Sequence, residues 1–111
     1  MNNTTNATGR RVTELDHSAS CDPHRYSYSR IVRIGEHRVR ARIQRDYYRA
    51  QSCAVAEVLA DDMTWTCLAA DDPVNWIDAT TPPGQGSIHC ATELGHLADT
   101  LINRAAAILL D

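Results

Sequence analysis

The chain has 111 residues, 43% of them hydrophobic, and a formal net charge of −3 at pH 7. That length suits one hydrophobic core rather than two, the apolar content excludes wholesale disorder, and no apolar run approaches the roughly 20 residues needed to cross a bilayer. All 11 basic residues are Arg and Phe is absent, the codon signature of a high-GC bacterium or one of its phages.

Residues 1–25 are rich in Asn, Thr and Ser and show no apolar period, so they read as a flexible polar tail. They also lack the apolar core of a secretory signal. A cytoplasmic location is expected, with Cys21, Cys53, Cys67 and Cys90 as reduced thiols. From residue 26 to 111 a single α+β domain is expected. Tyr28–Ile34 and His37–Arg45 both alternate in character, and Gly35-Glu36 between them suits a two-residue type II′ turn. A second hairpin is expected from Gln51–Ala60 and Met63–Ala70, with Asp61-Asp62 as its turn. Residues 71–90 hold Asp72-Pro73, Pro82-Pro83 and Gly84-Gln-Gly86, the composition of a long loop, which Trp76 would anchor on the core. Beyond it, Leu94, Leu97, Ala98, Leu101, Ile102, Ala105, Ile108 and Leu109 fall at helical spacing, with Thr92 placed to cap the helix. These elements predict a four-stranded antiparallel meander with a C-terminal amphipathic helix packed on one face, since neither layer can bury its apolar side alone.

The charge is unevenly distributed. Residues 25–49 carry eight Arg against Glu36 and Asp46, whereas residues 50–111 carry nine acids against Arg104. A turn at Gly35-Glu36 pairs Val32 with Val39, Arg30 with Ala41 and Tyr28 with Ile43 on one face. The other face then carries Ile31, Arg33, Arg38, Arg40 and Arg42, with Arg33 directly opposite Arg38, an unfavourable pairing of like charges. A two-residue turn at Asp61-Asp62 would put Trp65 and Cys67 under the helix with Ala54, Ala56 and Val58. Val55, Glu57, Leu59 and Leu68 would join the Arg face, where Glu57 avoids unpaired burial. Aliphatics rimmed by Arg suit a protein interface, so the expected partner-binding residues are Arg33, Arg38, Arg40, Arg42, Ile31, Val55 and Leu59.

The expected function is therefore that of a small non-catalytic interaction protein, binding a macromolecule or a second copy of itself through the Arg face, with no cofactor. The plain alternative is a solvated sheet decorated with Arg. A nucleic-acid-binding module is a further reading, favoured by clustered Arg near Tyr47, Tyr48 and Trp65; the acidic total and the absence of Lys speak against it. Cys21-Asp-Pro-His24 together with His89-Cys90 offers four potential ligands for zinc, although His-Cys adjacency is not a standard clamp. His96 lies one turn from both Glu93 and Asp99, but no nucleophile stands beside it in a known arrangement and no catalytic motif is present.

Overall fold

The computed structural model describes residues 3–5, 11–22, 24–80, 82–83 and 90–110. Six strands follow one another in sequence order in one antiparallel sheet: β1 (Asn3–Thr5), β2 (Arg11–Cys21), β3 (Arg25–Ile34), β4 (His37–Asp46), β5 (Cys53–Leu59) and β6 (Trp65–Ala70). The helix α1 (Cys90–Leu110) crosses one face of that sheet, lying over β3 to β6 and barely reaching β2.

The β3–β4 hairpin has the expected register, with Val32 opposite Val39 and Arg33 opposite Arg38. Gly35 takes φ 61° while Glu36 keeps a negative φ, the pattern of a type II′ turn whose twist matches its strands. Period-two alternation then sorts the side chains. Tyr26, Tyr28, Val32, Ile34, Val39, Ala41 and Ile43 are buried beneath the helix. The layers approach closely because Ala41, Ala54, Ala56 and Ala69 of the sheet meet Ala98, Ala105 and Ala106 of the helix, all buried. Leu94, Leu101 and Ile102 fill the space between them. A Cβ on Gly95 would come to 3.5 Å from the Tyr28 hydroxyl, so the helix rides directly over that ring. Two helical expectations change: α1 begins at Cys90 rather than Thr92, and Ile108 is 53% exposed, its place in the core taken by Ala106.

Two arginines do lie on the helix face, and both have partners. Arg30 reaches Glu14 of β2 at 2.6 Å and bonds Asp99 of α1. Burial works against its charged form, but Asp99 and Glu14 outweigh burial and raise its pKa. Arg45 is 4% exposed, and its Nε donates to Thr80 Oγ1 at 2.8 Å and its NH1 to the carbonyl of Asp46. Trp76, 5% exposed, donates its indole N–H to the Asp71 carbonyl and pins the loop after β6, which contains short 3-10 helices at Pro73–Asn75 and Ile77–Ala79.

The four-strand, tail-first expectation is corrected in three places. First, residues 11–21 are not a tail but β2, which pairs with β3 along its length. Its only buried side chain among those described is Val12; backbone bonding to a neighbour leaves no apolar period to read. Second, the β5–β6 turn contains Asp61, Asp62 and Met63. Thr64 O accepts from Ala60 N–H at 2.8 Å, Ala60 O accepts from Met63 N–H at 2.9 Å, and Met63 sits at φ 68°. One extra turn residue moves every following side chain to the other face, so Trp65 and Cys67 lie on the Arg face rather than under the helix. A bulge between Ala56 and Glu57 returns Ala69 to the core and leaves Leu68 packed against it. Third, Cys21 is disulfide-bonded, while Cys53 and Cys67 are free.

Replacing Met63 with Gly relieves a left-handed residue that is 73% exposed, and should raise stability by about 1 kcal/mol in urea unfolding; a loss would contradict this turn. Alkylation of the unfolded, unreduced chain should label Cys53 and Cys67 but leave Cys21 unmodified until reductant is added.

Candidate functional site

The face of the sheet away from α1 is assembled in rows by the strand registers. Asp16, Ile31, Arg40, Glu57 and Cys67 form one row across β2 to β6. Beside it, toward the Gly35 turn, run Thr13, Arg33 and Arg38, with Leu59 and Trp65 paired further along. On the other side lie Ser18, Ser29, Arg42, Val55 and Ala70, and beyond them Ser20, Ser27, Gln44 and Cys53. All seven expected interface residues thus share one face. Ile31, Val55 and Leu59 are half-buried, and Arg33 and Arg38 are exposed.

Glu57 organises the middle of this face. Its Oε1 accepts from Arg40 Nε at 3.1 Å and NH2 at 3.0 Å, and from Arg42 Nε at 3.2 Å. The carboxylate side chain is only 11% exposed, so these charge-assisted bonds form with little competing water. Its hydrogen bond is the main reason that the pKa of Arg42 is raised. Trp65 adds a second constraint on Arg40, whose guanidinium carbon lies 4.4 Å from the ring centroid. One carboxylate shared by two guanidiniums still leaves a positive charge. Among the described residues, Arg33 and Arg38 have no carboxylate partner at all.

Two features of the face had no place in the sequence expectation. Trp65 belongs to it, for the turn reason given above. At the end away from the Gly35 turn, Ser18, Ser20, Ser27, Ser29, Arg42 and Gln44 surround a shallow hollow of about 170 Å³. The Ser-x-Ser repeats at 18–20 and 27–29 are its sequence signal, legible only if β2 is recognised as a strand. On the helix side, His96 and Glu93 border a groove of about 320 Å³ with Trp76 and Leu97; Asp99 points instead to Arg30.

The zinc expectation fails at Cys21, whose sulfur is committed to a disulfide and is no longer a thiolate ligand. His24 is exposed, and no cluster of three potential ligands occurs among the described residues. His89, the Cys90 side chain and the Gly84–Ser87 segment lie outside the described residues. Among the described residues no helix is long and apolar enough to cross a membrane.

Changing Glu57 to Gln should destabilise the fold by about 1–3 kcal/mol in urea, because it leaves two neighbouring guanidiniums without their anion. The loss should shrink as salt is added; no loss at low salt would show that Glu57 is not the organising charge. Compared with protein-family models, with curated proteins and with solved structures, the chain matches none.

Proposed function

We propose that the protein is a non-catalytic binding module whose open sheet face docks an acidic segment of another protein. The observation that carries this reading is the Arg33–Arg38 pair. Directly opposed guanidiniums cost stability, and nothing among the described residues neutralises them, so an incoming carboxylate gains charge-assisted bonds while relieving repulsion. The half-buried Ile31, Val55 and Leu59 beside them supply apolar contact, and Trp65 and Arg40 are held as a rigid pair.

Charge also selects the partner. The face carries Arg33, Arg38, Arg40 and Arg42 against Glu57 and Asp16, so two copies stacked face to face would bring like charge onto like charge. A second copy is therefore a poor occupant of this face, and an acidic chain bearing aliphatic residues is a good one.

Fluorescence anisotropy with a labelled peptide alternating Glu and Leu tests the idea, alongside single-stranded and duplex oligonucleotides. Reversal of Arg33 and Arg38 to Glu should weaken peptide binding by roughly 10-fold or more at physiological salt, since each interfacial ion pair is worth up to about 1 kcal/mol. Unchanged peptide binding would overturn the proposal. So would tighter binding of the oligonucleotides with a steep fall in salt, the signature of released counterions, which would assign the face to nucleic acid.

A further inference from the structure

We infer that the free edge of β2 is a self-association site, at which a second copy adds its own β2 antiparallel to make one continuous twelve-stranded sheet. This inference is independent of what the open face binds.

The two edges of the sheet are built differently. At one edge, β6 is six residues long, is interrupted by the bulge opposite Ala56 and Glu57, and has its last carbonyl, that of Ala70, bonded by Arg104 NH1 at 3.3 Å. Short length, bulges and local caps are how sheets discourage edge pairing. At the other edge, β1 covers only Arg11–Thr13 of the 11-residue β2. From Asp16 to Cys21 β2 pairs regularly with β3, free of bulges and of proline, and every residue from Leu15 to Cys21 is exposed. His17 N–H is turned to its neighbour's carboxylate, Asp16 Oδ1, at 2.8 Å. That places the backbone groups of residue 17, and by alternation those of residue 19, on the outer side of the strand. Among the described residues, the N–H and C=O of Ala19 have no partner there. An unpaired, regular edge of this kind is a template for another strand.

A second copy fits this edge better than most strands. Opposite β2, an antiparallel β2 of the second copy can be centred on Ser18, overlapping from Leu15 to Cys21. Asp16 then faces Ser20 of the second copy, and His17 faces its Ala19. Centring on Ala19 would set Asp16 against Asp22 of the second copy, a like-charge pair; centring on His17 would run into β1. The Ser18 register is therefore the one that symmetry, charge and space all permit, and it is isologous, so that association stops at a dimer. Among the described residues the helix leaves the edge open from above, because α1 lies over β3 to β6. The disulfide at Cys21 holds the far end of the strand in place, which lowers the ordering cost of pairing. The two-fold axis stands perpendicular to the sheet, so both open faces end up side by side and both helices on the opposite side.

Sedimentation equilibrium over about 1–300 μM, with far-UV circular dichroism as a check on folding, tests this directly. The wild-type chain should be a dimer at tens of micromolar. Ser18→Lys places two ammonium groups opposite each other on the axis and should weaken the dimer at least 100-fold. Ala19→Pro removes an outward N–H that the monomer does not use, a substitution edge strands tolerate, and should do the same. Ser20→Lys, which brings an ammonium opposite Asp16, should leave the dimer intact or tighten it. A chain that remains monomeric at 300 μM overturns the inference, as does a dimer that survives both Ser18→Lys and Ala19→Pro.

Discussion

Everything in this molecule depends on the register of β3 against β4. Ten consecutive pairs run from Arg25–Asp46 to Ile34–His37, and a slip of β4 by one residue would carry Arg38, Arg40 and Arg42 under the helix and push Val39 and Ile43 into water. Gly35 holds the register from the turn by occupying a conformation that side chains resist. The apolar row holds it from the core. The two arginines that do face the helix show what burial demands: Arg30 is clasped by Glu14 and Asp99, and Arg45 is bonded to Thr80 and to the Asp46 carbonyl. Among the described residues no comparable set of acceptors exists for three more guanidiniums on that side. The slipped state is therefore excluded by desolvation as well as by lost packing.

On the open side the balance is struck differently. Glu57 draws Arg40 and Arg42 together, and Trp65 fixes Arg40 against its ring. This cluster satisfies the chain's own structure. Arg33 and Arg38 stand one row away and take no part in it, so the arginines without a carboxylate partner among the described residues lie toward the Gly35 turn, while Arg42 at the serine-rich end is paired with Glu57. Acids are abundant elsewhere, notably Asp61, Asp62, Asp71 and Asp72, yet the β5–β6 turn uses Asp62 on its own Thr64 and Asp71 binds Asn75. Among the described residues none of them forms an ion pair with Arg33 or Arg38. Charge separation of this kind adds nothing to the stability of the fold, since directly opposed like charges cost free energy.

How far the sequence predicts this arrangement varies by element, for identifiable reasons. The first hairpin is legible because Gly sits where a positive φ is needed and alternation on both strands agrees with it. The second hairpin misleads by one residue, since a left-handed Met63 carries no compositional signal and Asp61-Asp62 alone makes an acceptable turn. That single residue relocates Trp65 and Cys67, whereas the cost of burying an unpaired carboxylate is enough to place Glu57 on the open face, opposite Arg40. β2 is invisible for a deeper reason. A strand exposed on both faces and held by backbone bonds has no hydrophobic period, and Asp16-His-Ser-Ala-Ser reads as loop. The Cys21 disulfide is likewise unreadable from spacing, because it depends on where the ends of distant elements meet.

These omissions cluster at one edge, and that pattern has physical content. Sequence periodicity reports burial, so the elements it misses are those that contribute least apolar area to this core. β2 contributes Val12, whose burial is worth about 1.5–3 kcal/mol, and little else from its apolar side chains. Its order rests instead on the β3 ladder, on the Glu14–Arg30 contact at one end and on the disulfide at the other. A covalent tie restricts the unfolded chain and so favours order where packing is thin. The middle of β2 is then a strand with its geometry fixed at both ends, its outward His17 N–H taken up by Asp16. Order maintained without burial is costly in conformational entropy, and along β2 the ladder, the ion pair and the disulfide are what offset that cost.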